Sequence, residues 1–396
     1  MKKYWRNYLT AELIIGAIII TLAEFFSDKS TFKQDILLII TFVDMIALYL
    51  RTAPTVLKTI LRWVMIFTIP IILQGEWKVA YQFLVKKVAN FEVLISIIFF
   101  VIYIVFAVPL VVGVVSKVKW TIPRLVAVGW LMEIIFDTPT VTGISKFVHQ
   151  TISTGLLAAI AFVVVGCYLA QAWGFKFNPS LKFAKSKNFS YIVLTVLIIY
   201  GIGDVVWNDF GANGDTVASV FYAYGSAPIK LTYNSFASAF EAGVLEEMTR
   251  YLNIIVLLYG LRNYKHRVNL TVLISAALFG LSHLSNWGWQ DLGSTLGQMA
   301  TTFAAGLYLA LLYLYTGKLW LPMIEHFCLD FFIFVQEGGD LPGKWSSDPV
   351  TWTILVVSVI APLIVYIWMM FGKSHLVLEE NADRILGPVM ETVKVS

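Results

Sequence analysis

The chain has 396 residues, of which 58% are hydrophobic and only 14% charged, and its net charge is +4. Soluble globular chains carry about 45–50% apolar and about 25% charged residues, so this composition excludes a soluble globular protein and implies a polytopic membrane protein. The basic residues sit at the ends of apolar runs rather than on one basic face, which argues against a nucleic-acid partner and leaves membrane lipid. Cys167 and Cys328 lie in separate apolar runs with no CxxC spacing and read as reduced packing residues.

Taken in order, the chain opens on Met1-Lys2-Lys3-Tyr4-Trp5-Arg6 and an apolar run, a pattern that a signal peptide shares. Glu12 and Glu24 interrupt that run and no small-residue cleavage site precedes Phe25, so a retained first span is expected. About twelve apolar runs follow the ~20-residue length of a bilayer crossing or approach it. They cover 9–26, 36–50, 61–73, 93–115, 123–136, 152–173, 191–206, 236–260, 270–284, 299–315, 319–335 and 353–371. Pro70 is expected to kink the third, and Glu133 lies in the short fifth. With the N-terminus in the cytoplasm, twenty of the 29 basic residues fall on the inner side and eight on the outer, with Arg250 inside a span. The expected fold is therefore all-α and multi-pass in the cell membrane, with both termini cytoplasmic. The outer segments 207–233, 286–298 and 337–349 are longer and rich in Trp, Gly and acids. Tyr81 to Ala89 reads either as a surface amphipathic helix or as a plain loop, and the tail after Lys373 as a surface helix or disorder.

The unusual residues concentrate in one region. Before about residue 190 the acids Glu12, Glu24, Asp44 and Glu133 share no pattern. The expected organisation is thus 1–189 as accessory N-terminal helices, 190–336 as the core that carries the chemistry, and 337–396 as a last span and tail. Inside the core, Glu246-Glu247-Met248-Thr249-Arg250 places three charges in an apolar run, with Glu241 nearer one end. A charged side chain at the bilayer centre costs roughly 2.5–3.5 kcal/mol, so these charges need pairing, a wet cavity, or both. Glu246 and Arg250 are four apart and share a helix face on which they can pair; Glu247 faces elsewhere. Phe279 and His283 share a face of a second span, and His326 and Asp330 a face of a third.

This set permits hydrolysis. A carboxylate in an apolar cavity is a usable base near neutral pH, imidazoles can stabilise an oxyanion or protonate a leaving amine, and a carboxylate four residues from a histidine can fix its ring. Each piece has an ordinary reading too: intramembrane Glu–Arg pairs are often structural, and a histidine near a span end is often a packing residue. His149, His266 and His375 fall in loops or the tail and read as solvated.

The order of an acidic pair with arginine, then Phe-x-x-x-His, then His-x-x-x-Asn/Asp resembles the CPBP family of intramembrane proteases. That family includes the type II CAAX prenyl endopeptidases and the bacteriocin-processing and immunity-associated Abi proteins. The resemblance covers about 190–336 and implies an intramembrane endopeptidase acting on a peptide or membrane-protein substrate. It implies that Glu246 activates water, that Glu247 and Arg250 complete the first motif, and that His283 and His326 polarise the carbonyl. Asp330 stands where the family often has Asn. One departure concerns spacing: the family pattern is Glu-Glu-x-x-x-Arg, whereas here only Met248 and Thr249 separate Glu247 from Arg250. Metal dependence stays open, since Glu246, His283 and His326 form a donor set for a divalent ion such as zinc; no other cofactor is implied. Two alternatives stand beside the protease: a non-catalytic bacteriocin-immunity or scaffold protein on the same fold, and a proton-coupled transporter.

Overall fold

A computed structural model describes residues 3–26, 32–50, 54–135, 144–175, 177, 186–210, 216–225, 229–337 and 345–394. Among them are fourteen α-helices and no strand. In chain order these are α1 (Lys3–Phe26), α2 (Phe32–Tyr49), α3 (Thr55–Lys87), α4 (Glu92–Gly113), α5 (Thr121–Trp130), α6 (Lys146–Ser153), α7 (Leu156–Ala172), α8 (Tyr191–Phe210), α9 (Tyr233–Gly260), α10 (Arg267–Ser282), α11 (Leu292–Thr316), α12 (Trp320–Glu337), α13 (Pro349–Met369) and α14 (Gly372–Lys394). The protein is an all-α polytopic membrane protein. Seven of its helical segments are long and apolar enough to cross a bilayer, and α6 with α7, bent by 43°, would make an eighth. Neither α9 nor α12 is among the seven. The reason is chemical: Glu241, Glu246, Glu247 and Arg250 lie on one, and Glu325, Asp330 and Glu337 on the other.

The chain forms two compact units, Met1–Gly174 and Phe175–Ser396. In the first, α3 runs unbroken for 33 residues through Pro70. Tyr81 to Lys87 is its last turns, neither a separate surface helix nor a loop. Tyr81 and Val85, four apart, share the buried face with Val148 and Ile152, and the Tyr81 hydroxyl meets Ser96 Oγ at 2.6 Å. The short fifth run divides into α5 and a five-residue π-helical stretch, Leu131–Ile135, while residues 136–143 lie outside the described residues. Glu24 likewise has no described side chain.

In the second unit, α9 packs along α12, α12 along α8, and α10 along α11. Helix α11 begins at Leu292, seven residues before the apolar run suggests, because Asp291 caps it: Oδ1 accepts from Ser294 N at 3.1 Å. Asp291 Oδ2 also accepts from Trp345 N at 2.7 Å. Trp345 N–H and the Ser294 donors hold this carboxyl below the ordinary carboxylate value. The cap therefore contributes its full stability above about pH 4 and loses it as the pH falls through the lowered value.

The other end of α11 explains why the tail is ordered. Helix α14 buries Val377, Leu378, Ala382 and Leu386, each at 0% exposure. From the same face, Asn381 Nδ2 donates to Leu314 O at 2.7 Å and Tyr315 O at 2.8 Å. These carbonyls belong to the last turn of α11, which has no partners for them within the helix. Arg267 Nη2 ties α14 to α10 through Glu379 and Asp383, both at 2.7 Å. Replacing Asn381 with Leu leaves two buried carbonyls unmatched and is expected to cost about 1–3 kcal/mol. Thermal melts in detergent, read against the wild type, measure the loss.

Candidate active site

The site is built on one stripe of α9. Its first turn is capped by Thr232, whose hydroxyl accepts from Ser235 N at 3.0 Å. Gly243, Glu246, Glu247 and Arg250 then recur at the three- and four-residue spacing of a single helix face. Gly243 allows α12 to touch the backbone of α9. A Cβ there would lie 2.7 Å from Phe327 N and 2.9 Å from Met323 O, the close approach that glycine permits between membrane helices. One turn later the two glutamates meet His326 of α12.

Arg250 and Glu247 form a forked pair, Nε to Oε2 and Nη2 to Oε1, both 2.9 Å. Both side chains are dry, at 2% and 0% exposure. His326 Nδ1 reaches Glu247 Oε1 at 2.9 Å, so Glu247 joins the arginine to the histidine. The opposite ring nitrogen, Nε2, faces two other acids: Glu246 Oε2 at 3.7 Å and Asp330 Oδ2 at 3.5 Å. Glu246 is the open member of the pair, and its Oε2 has no hydrogen-bond partner.

Phe279 completes the arrangement. The Arg250 guanidinium sits 3.9 Å over its ring centroid, a cation–π contact in a dry setting. The same ring meets His326 edge-on at 5.8 Å and His283 at 5.0 Å. His283 opens the 3₁₀ turn after α10, and its Nδ1 lies 3.0 Å from Phe279 O. Gly306 of α11 makes room behind, where a Cβ would fall 2.9 Å from Arg250 Nη1.

Glu246, Glu247, Arg250, His326 and Asp330 thus come together directly, and His283 joins them through the Phe279 ring. One expectation is corrected: Arg250 pairs with Glu247, not with Glu246. A three-residue separation also lies on one helix face, and this places Glu247 inward against Arg250 while Glu246 turns to the open side of His326. The zinc set does not assemble either. Among the described residues no three His, Cys, Asp or Glu side chains are placed to hold a metal ion, so no chemical step is routed through one. Cys167 and Cys328 are free thiols, as their separate runs imply.

Sequence reasoning named Glu241 without giving it a place in the site, and left out two glycines and Glu325. Glu241 comes within electrostatic reach of Glu246, Asp330 and His326. Gly243 and Gly306 open the space in which the charged groups meet, and glycines inside apolar helices next to charged motifs are the signal that would have found them. Glu325, beside His326, faces α8.

With this geometry in view, a comparison with protein families gives a direct result: residues 228–332 match the family described as type II CAAX prenyl endopeptidase Rce1-like. This stretch is an Rce1-like domain. Its bounds contain Glu241, Glu246, Glu247, Arg250, Phe279, His283, Gly306, His326 and Asp330. An Rce1-like domain in a chain of apolar helices supports a membrane-embedded endopeptidase. No curated relative and no solved structure matches the chain.

Proposed function

We propose that the Rce1-like domain cleaves a peptide bond of a membrane-associated or peptide substrate with water activated by Glu246, within a cell membrane. The observation that carries this reading is the division of labour between adjacent glutamates. Glu247 is consumed by Arg250 and by His326 Nδ1, whereas Glu246 is open and aimed at the free side of the ring. Glu246, 22% exposed, is the member of the pair that a water can reach, and its Oε2 stands 3.7 Å from Nε2 with no hydrogen-bond partner.

In this mechanism Glu246 takes a proton from that water as its oxygen bonds to the scissile carbonyl carbon. The imidazolium of His326 donates through Nδ1 to Glu247 and through Nε2 to the oxyanion, with His283 as a second donor. Collapse of the tetrahedral species breaks the C–N bond. Glu246 returns its proton to the leaving nitrogen, which yields a carboxylic acid and an amine. Asp330, four residues along α12 from His326, holds the ring from the Nε2 side as an orienting group.

The test is cleavage of a membrane-presented peptide library by purified protein in proteoliposomes. The wild type is expected to cut and Glu246→Gln to be silent. Full activity in Glu246→Gln, His283→Ala and His326→Ala alike, at equal expression, would sink the reading.

A further inference from the structure

Glu325 is one residue before His326, about 100° around α12. When His326 faces α9, Glu325 faces α8. There it meets Gly201, where a Cβ would fall 2.6 Å from Cδ and from each carboxyl oxygen of Glu325. The carboxyl therefore lies against the bare backbone of Gly201, and a methyl added there would require the end of the Glu325 side chain to move. Tyr200 and Tyr308 belong to the same neighbourhood: their ring centroids are 4.7 Å apart, and Tyr308 is anchored to α8 by a 3.0 Å bond from its hydroxyl to Leu197 O. Asp204, which accepts from Asn208 Nδ2 at 3.1 Å, and His326 are both within electrostatic reach of Glu325. Oε1 of Glu325 is buried and has no hydrogen-bond partner, an arrangement that packing stability alone would not select.

The other side of α12 carries the matching contact. Met323 and Phe327 abut Gly243 of α9, and Glu325 abuts Gly201 of α8. Residues 323, 325 and 327 are thus engaged by glycines of two helices, with His326 among them. We propose that Glu325 is a positioning residue for His326: seated on Gly201, its side chain fixes the rotation of α12 that turns His326 toward Glu246 and Glu247. The kinetic consequence rests on the endopeptidase reading; the structural consequence does not.

Two variants remove the seat from opposite sides. Glu325→Ala withdraws the side chain and Gly201→Ala fills its place. Because a misplacement of ~1 Å near the chemistry can cost ~10²-fold in rate, each is expected to lower kcat by roughly 10- to 100-fold with KM nearly unchanged. Glu325→Gln keeps the shape and is expected to stay within about threefold of wild type. The double variant Gly201→Ala/Glu325→Ala puts a methyl where the carboxyl was and is expected to be no worse than the poorer single, since contacting residues are non-additive. A readout independent of cleavage is the rate at which diethyl pyrocarbonate modifies His326, followed by mass spectrometry on the folded fraction. It is expected to rise about tenfold in Glu325→Ala and Gly201→Ala and to be unchanged in Glu325→Gln. If wild type cleaves nothing, the endopeptidase reading fails while the modification rates still decide the positioning role. Unchanged His326 reactivity in both alanine variants overturns the proposal. So does a Glu325→Gln variant as impaired as Glu325→Ala, because the carboxyl's chemistry rather than its seat would then be the requirement.

Discussion

A protein carrying Glu246→Gln should fold normally and lose about 10²–10⁴-fold of its turnover, the usual contribution of a positioned acid–base group, whereas Glu247→Gln should lose stability first. The two residues are neighbours on α9 with the same side chain, so the contrast isolates environment. Glu247 is fully buried and makes two bonds to Arg250 and one to His326. Its neutralisation leaves the Arg250 guanidinium, itself at 2% exposure, without a counter-charge. Breaking a buried pair from one side typically costs about 3–5 kcal/mol, which for a domain of this size lowers the melting temperature by roughly 10 °C. Glu246 has no such partner, and its side chain is 22% exposed. Paired thermal melts and single-turnover cleavage on the two variants measure both quantities. Equal losses of melting temperature would show that the adjacent glutamates do not divide the work.

Gly243→Val should damage folding and catalysis together. The atoms that a side chain at 243 meets are Phe327 N and Met323 O, backbone atoms of α12 that cannot swing aside. Helices α9 and α12 must separate, and overpacking of this kind costs about 1–3 kcal/mol. The same displacement draws His326 away from Glu247, for which ~1 Å is enough to cost ~10²-fold in rate. Gly203→Ala on α8 is the control, because a Cβ there meets nothing within 4 Å. Wild-type melting and cleavage in Gly203→Ala, with both reduced in Gly243→Val, are the expected pattern. A Gly243→Val protein with normal turnover would mean that the α9–α12 contact does not align the site.

What the sequence could show depended on whether a feature is local. The all-helical membrane character follows from composition. The three motifs are spaced by helix periodicity, so the spacing alone puts Phe279 with His283, and His326 with Asp330, on shared helix faces. The spacing pointed to Glu246 as the partner of Arg250 and the pair formed is with Glu247, because separations of three and four residues lie on the same face and the position of α12, whose His326 also binds Glu247, selects between them. Helix ends were also out of reach of hydropathy. Helix α11 starts where Asp291 caps it, amid polar residues, and α3 continues past Gln74, Glu76 and Lys78 because Tyr81 and Val85 find a core. The ordered tail depends on Asn381 meeting carbonyls 66 and 67 residues earlier, a relation that no local pattern carries.

The fork between Glu247 and Arg250 also bears on how the protein is made. Both members belong to α9, three residues apart, so the pair can close as soon as that helix has formed. Two charges that would each cost roughly 2.5–3.5 kcal/mol at the bilayer centre thereby enter already matched. Helix α12 is synthesised later and brings Glu325, His326 and Asp330 into a membrane where their counterparts stand ready: Gly201 on α8 and the glutamates on α9. Chain order thus lets the last helix of the site arrive with His326 meeting glutamates on an earlier segment. The biogenesis of the protein and the assembly of its candidate site become the same event.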